Sequence, residues 1–233
     1  MHRTRPKISR RELKGPGEFT VLAEKATGFV ARNRRRLAAL AAALVVAAAA
    51  TGGIAAYLRH QRRLAADEFA GGLGELAGGR PEQALADFAR AADRPGSGAL
   101  GEAAQFYVAR CYIAQSQLAR AIAELQNYLA SGRDPLVREM AFNALAAAFE
   151  RSGHPRRAEQ AYAQAAKLAG PEKRDAQLNV ARLLAEQAKR PEAIRAYRRF
   201  LGEYPFSRDR WRAAASLAQM GAPLEKPQPK PKP

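Results

Sequence analysis

At 233 residues and a net charge of +17, the chain has room for one soluble domain of ordinary size beside any membrane segment. Its single cysteine, Cys111, excludes an intrachain disulfide framework and a thiolate metal cluster. Basic residues do not interleave with aromatics on any one face, so no nucleic-acid partner is expected.

Residues 1–36 form a basic arm, with eleven Lys/Arg against Glu12, Glu18 and Glu24. Its first fifteen residues read as disordered. After Pro16-Gly17, Phe19, Leu22, Ala23, Ala26, Phe29 and Val30 recur at helical spacing, which predicts an amphipathic helix able to lie along a membrane. Residues 37–58, LAALAAALVVAAAATGGIAAYL, hold no charge. As a helix they would run roughly 33 Å, enough for a hydrocarbon core about 30 Å thick. Arg32, Arg34, Arg35 and Arg36 precede the segment, and Arg59, Arg62 and Arg63 follow it. The segment therefore reads as a transmembrane helix held at both ends by snorkelling arginines. Ala47-Ala48-Ala49 would suit a signal cleavage site, but the arm is far too long for an ordinary signal peptide. The basic excess before the span places the amino terminus in the cytoplasm and the rest outside it.

From residue 64 to 220 the sequence is Ala-rich and helical, and it repeats. Ala84-x3-Phe88-x2-Ala91 returns as Ala121-x3-Leu125-x2-Tyr128, Ala158-x3-Tyr162-x2-Ala165 and Ala193-x3-Tyr197-x2-Phe200. Each set lies on the second helix of a pair. The first helices carry Val108-Ala109-x2-Tyr112, Phe142-x2-Leu145-Ala146-x2-Phe149 and Val180-Ala181-x2-Leu184. Small residues at these places let paired helices approach, and large ones fill the space beside them. This pattern resembles the tetratricopeptide repeat. Unit three fits it best, whereas Gln105 and Gln177 stand where units two and four should have a large residue. Glu68, Gly71, Gly72 and Glu75 replace most of the first-helix pattern in unit one. The expected fold is thus all-α: a tetratricopeptide-like α-solenoid of about four helix-turn-helix units, capped by a helix over 207–220 and preceded by one transmembrane helix. Residues 221–233 are Pro/Lys-rich and expected to be disordered.

Little suggests chemistry. His2, His60 and His154 lack second ligands at metal spacing, Cys111 reads as a small packing residue, and the carboxylates are scattered. No enzyme, cofactor or metal is expected. The resemblance implies instead that the first helices line a groove for a protein or peptide. Carried onto this chain, the groove positions are Phe69, Leu73, Phe106, Arg110, Ile113, Met140, Asn143, Leu178 and Arg182. The layout of basic arm, span and repeat domain also resembles single-pass bacterial inner-membrane proteins of the YfgM kind, ancillary to the Sec translocon. That likeness implies a periplasmic scaffold for newly exported chains or chaperones. The alternative is a structural tether for an envelope complex, recognised through its cytoplasmic arm.

Overall fold

The computed structural model describes residues 16–222. The expectations for residues 1–15 and for the tail beyond 222 lie outside these. Among the described residues the chain forms nine α-helices and no strand. They are α1 (Pro16–Ala77), α2 (Pro81–Asp93), α3 (Ala99–Ala114), α4 (Leu118–Ser131), α5 (Pro135–Arg151), α6 (Pro155–Ala165), α7 (Lys173–Glu186), α8 (Arg190–Glu203) and α9 (Arg210–Gln219). The chain divides into two compact units between Tyr57 and Leu58.

The first unit contributes the earlier part of α1. Leu40, Leu44, Val45, Val46 and Ile54 are all at least 60 % exposed there, so nothing among the described residues covers this apolar stretch. Its Thr51 hydroxyl bonds back to the carbonyls of Ala47 and Ala48 at 3.0 Å, which satisfies that hydroxyl within its own helix. By length and composition this helix is able to cross a membrane.

In the second unit, consecutive helices from α2 to α9 pack against one another, and α3 also meets α5. Prolines start several of them: Pro81, Pro135 and Pro155 stand at the first helical position, where a missing N–H costs nothing. Asp134 caps α5 by accepting from the amides of Leu136 (2.8 Å) and Val137 (3.2 Å).

The turns joining paired helices repeat atom for atom. The amides of Arg80, Gln117, His154 and Lys189 donate to the carbonyls of Glu75, Tyr112, Phe149 and Leu184 at 2.8, 2.8, 2.8 and 2.9 Å. These are the six-to-one bonds of a Schellman motif, which requires a left-handed residue at the turn. Gly79, Ser116, Gly153 and Ala188 supply it, with φ of 72°, 60°, 78° and 58°. Four turns of one geometry thus stand 37, 37 and 35 residues apart, the spacing of the second-helix alanines.

Packing follows the same register. Ala84, Phe88, Ala91, Ala121, Leu125, Ala158, Ala165, Ala193 and Phe200 are fully buried, and Tyr128, Tyr162 and Tyr197 are nearly so. On the first helices Ala109, Ala146 and Ala181 are likewise fully buried. Unit one completes this set through Gly72: a Cβ there would lie 3.0 Å from the Phe88 ring, so the two helices touch at the glycine. The pattern on the first helix of unit one is present after all, with glycine as its small residue. Leu217 and Ala213 of α9 close the stack against Ala181, Tyr197, Phe200 and Leu201.

Candidate partner-binding face

The groove expected along the first helices draws on the last turns of α1 and on α3, α5 and α7. Phe69 and Leu73 sit on α1; Leu73 is 38 % exposed and Phe69 half-buried. The Phe69 ring meets Phe88 and Tyr107 edge-on at 5.4 Å each, and Phe88 stacks on Tyr107 at 4.9 Å. Arg110, exposed on α3, lies over the Tyr107 ring at 5.7 Å. Aromatic packing therefore joins units one and two and presents one cation at its edge. Among the described residues no carboxylate forms an ion pair with Arg110. Tyr107 falls between the positions that the repeat pattern assigns to the groove, so the pattern does not point to it.

Other expected residues are placed differently. Phe106 is only 3 % exposed; it lies beneath the surface, in the core that α3 shares with α5 and α6. Ile113 and Met140 are half-buried against that same core, and Leu178 against the cluster beneath α9. The Asn143 amide donates to the carbonyl of Glu139 on its own helix at 3.2 Å. Arg182 does not offer a free charge: it donates to Glu150 on α5 at 2.7 Å and to Glu186 at 2.9 Å. An acidic ligand would thus meet Arg110 on this face and find Arg182 already neutralised.

Two buried groups bear on chemistry. Burial pushes the Cys111 thiol up to about 11, which holds it as a neutral packing group and not a nucleophile. Glu139 on α5 is fully buried, with neither carboxylate oxygen in a hydrogen bond, and a Cβ at Gly170 would overlap that carboxylate. Desolvation raises its pKa; the nearby backbone amides of Glu172 and Lys173, which fall short of hydrogen-bond geometry, pull the other way, and the Glu172 charge adds to the rise. Nothing in the residue pattern marks Glu139 for burial, because it falls beside an apolar stripe in a position any surface glutamate could occupy.

The four matching turns and the buried small residues decide the architecture. The fold is a tetratricopeptide-like solenoid. A tetratricopeptide-repeat family profile matches residues 175–207, which is unit four, although the residue pattern was fullest in unit three. No curated protein sequence matches the chain. Among solved structures, a putative kinesin light chain from Podosopora anserina with nearly identical TPR-like repeats aligns at 18 % identity and a TM-score of 0.51. The alignment covers 70 % of this chain and 84 % of that one. YrrB, described as a TPR protein with an unusual peptide-binding site, aligns at 17 % identity and a TM-score of 0.51, over 66 % and 77 %. MamA aligns at 16 % identity and 0.53, over 68 % and 84 %. At these identities the likeness is one of fold. Its first-helix face combines an aromatic patch, aliphatic side chains and Arg110, which has no ion pair among the described residues.

Proposed function

We propose that the chain is a membrane-anchored scaffold that holds a protein or peptide partner along its first-helix face. The observation that carries this reading is the surface built by Phe69, Leu73, Tyr107 and Arg110, where apolar contact and an uncompensated cation stand side by side. A partner segment with an apolar anchor and a nearby acidic group fits that chemistry. Residues 37–58 serve as a single transmembrane helix, with the arm cytoplasmic and the solenoid periplasmic. Exported chains or chaperones beside the Sec translocon are the partners that this layout favours. YrrB, described as a TPR protein with an unusual peptide-binding site, is consistent with this mode of recognition.

Capture of crosslinked partners from cells tests the proposal. Leu73→Glu with Arg110→Glu changes exposed residues and leaves the core intact, so melting should be unaffected while partner capture falls at least tenfold. Burying one such anchor is worth about 1.5–3 kcal/mol. Deleting residues 1–31 should spare the captured partner. Loss of the partner on that deletion, with capture retained in the double mutant, would transfer recognition to the arm and replace this reading by the tether.

A further inference from the structure

The segment that joins α8 to α9 combines two exposed aromatic rings with exposed arginines. Residues 204–212 read YPFSRDRWR. Phe206 is 97 % exposed and Trp211 is 70 % exposed. Arg208 and Arg210 lie between them in the sequence, both exposed, and no carboxylate pairs with either among the described residues. Three acids at this end of the stack have other partners. Asp209 pairs with Arg212 at 3.2 Å, Asp175 with Arg174 at 2.9 Å, and Glu203 accepts from Gln177 at 2.8 Å. Over residues 190–212 the count is seven arginines against Glu192, Glu203 and Asp209, a net +4. Tyr204, packed on Phe200 at 5.4 Å, and the Ser207 hydroxyl, which accepts from the Asp209 amide at 3.1 Å, hold the turn in place.

We infer that this turn is a docking surface for the anionic phospholipid headgroups of the bilayer in which the chain is anchored. The inference rests on the anchored reading given above. A ring with almost nothing against it suits insertion among mobile headgroups and upper acyl chains, where no fitted partner surface is needed. Tryptophan and phenylalanine favour that depth, and arginines beside them draw in lipid phosphates. Phe206 and Arg208 lie in the turn and Arg210 and Trp211 at the start of α9, so charge and aromatics fall within six consecutive residues.

Trp211 is the sole tryptophan, so intrinsic fluorescence reads the site directly. The full chain, incorporated in nanodiscs of phosphatidylglycerol with phosphatidylcholine, should show emission at shorter wavelength than in discs of phosphatidylcholine alone. Brominated acyl chains should quench it in the anionic discs only. In the double variant Arg208→Gln with Arg210→Gln the docking constant should fall about thirtyfold, at roughly a factor of five per arginine. The variant Arg208→Lys with Arg210→Lys should retain docking, and both should melt with the parent chain. Solvent-exposed emission in every disc would overturn the inference, as would equal shifts in anionic and neutral discs. A shift that needs an added protein extract would overturn it too. Flotation of the discs reports the anchor separately. If the chain failed to enter discs, the anchor would be refuted, and added vesicles of the same two compositions would test the turn by the same emission.

Discussion

Ser116 and Ala188 occupy left-handed turn positions that glycine fills at 79 and 153. A β-carbon there costs about 1–2 kcal/mol, partly offset because glycine frees the unfolded chain. Ala188→Gly should therefore raise stability by about 0.5–1 kcal/mol, and Gly153→Ala should lower it by a similar amount. Thermal unfolding checks both, and midpoints moving in the same direction would contradict the shared turn geometry. Glu139 makes a second residue-scale test. Its native pKa lies above the ordinary value of 4.5, so the folded chain binds that proton more tightly than the unfolded chain. Its contribution to stability is full below about pH 4.5 and is lost as pH rises toward the raised native value. Glu139→Gln should remove this loss, so the variant gains on the parent from weakly acid pH to neutrality. Denaturant unfolding across that range measures it, and parallel pH curves for the two proteins would contradict the account.

Helix α9 shows what single elements contribute. Leu217 is fully buried beneath it, whereas Trp211 on the same helix is 70 % exposed. Leu217→Ala should cost about 2–5 kcal/mol through lost burial and a residual cavity. Trp211→Ala should change stability by under about 0.5 kcal/mol. Equal shifts in the denaturant midpoint would mean that α9 does not cap the stack. The second helices were legible in the sequence because their anchors combine a fixed small residue with a large one three or four places on. Residue types alone carry that signal. Unit one was not legible, since Gly72 reads as a poor helix former until the Phe88 ring is seen against it. The run of α1 from Pro16 to Ala77 was also hidden: an arm helix, a span and a first repeat helix were expected as successive pieces. Its Ala-rich interior holds no proline, and Gly52-Gly53 is tolerated inside it. Phe106 and Arg182 show the limit of carrying positions over from a pattern. Spacing places a residue on a helix face, but only the neighbouring helix determines whether the core or a carboxylate claims it.

As a whole, the molecule joins an apolar helix to a tetratricopeptide-like repeat stack, along whose first-helix face a partner is proposed to bind. Topology is tested by single cysteines in a chain with Cys111 replaced. Cysteines at Ser152 should react with an impermeant thiol reagent in intact cells, and cysteines at Ser9 should not; the opposite pattern would invert the orientation. The partner face itself is tested most directly by a photo-crosslinking residue placed in turn at Leu73, Arg110 and Gln126 in otherwise unaltered cells. Leu73 and Arg110 lie on the first-helix face, whereas Gln126 is exposed on the second helix α4. The account predicts one shared protein adduct from Leu73 and Arg110 and none of that mass from Gln126. An adduct from Gln126 alone would contradict it.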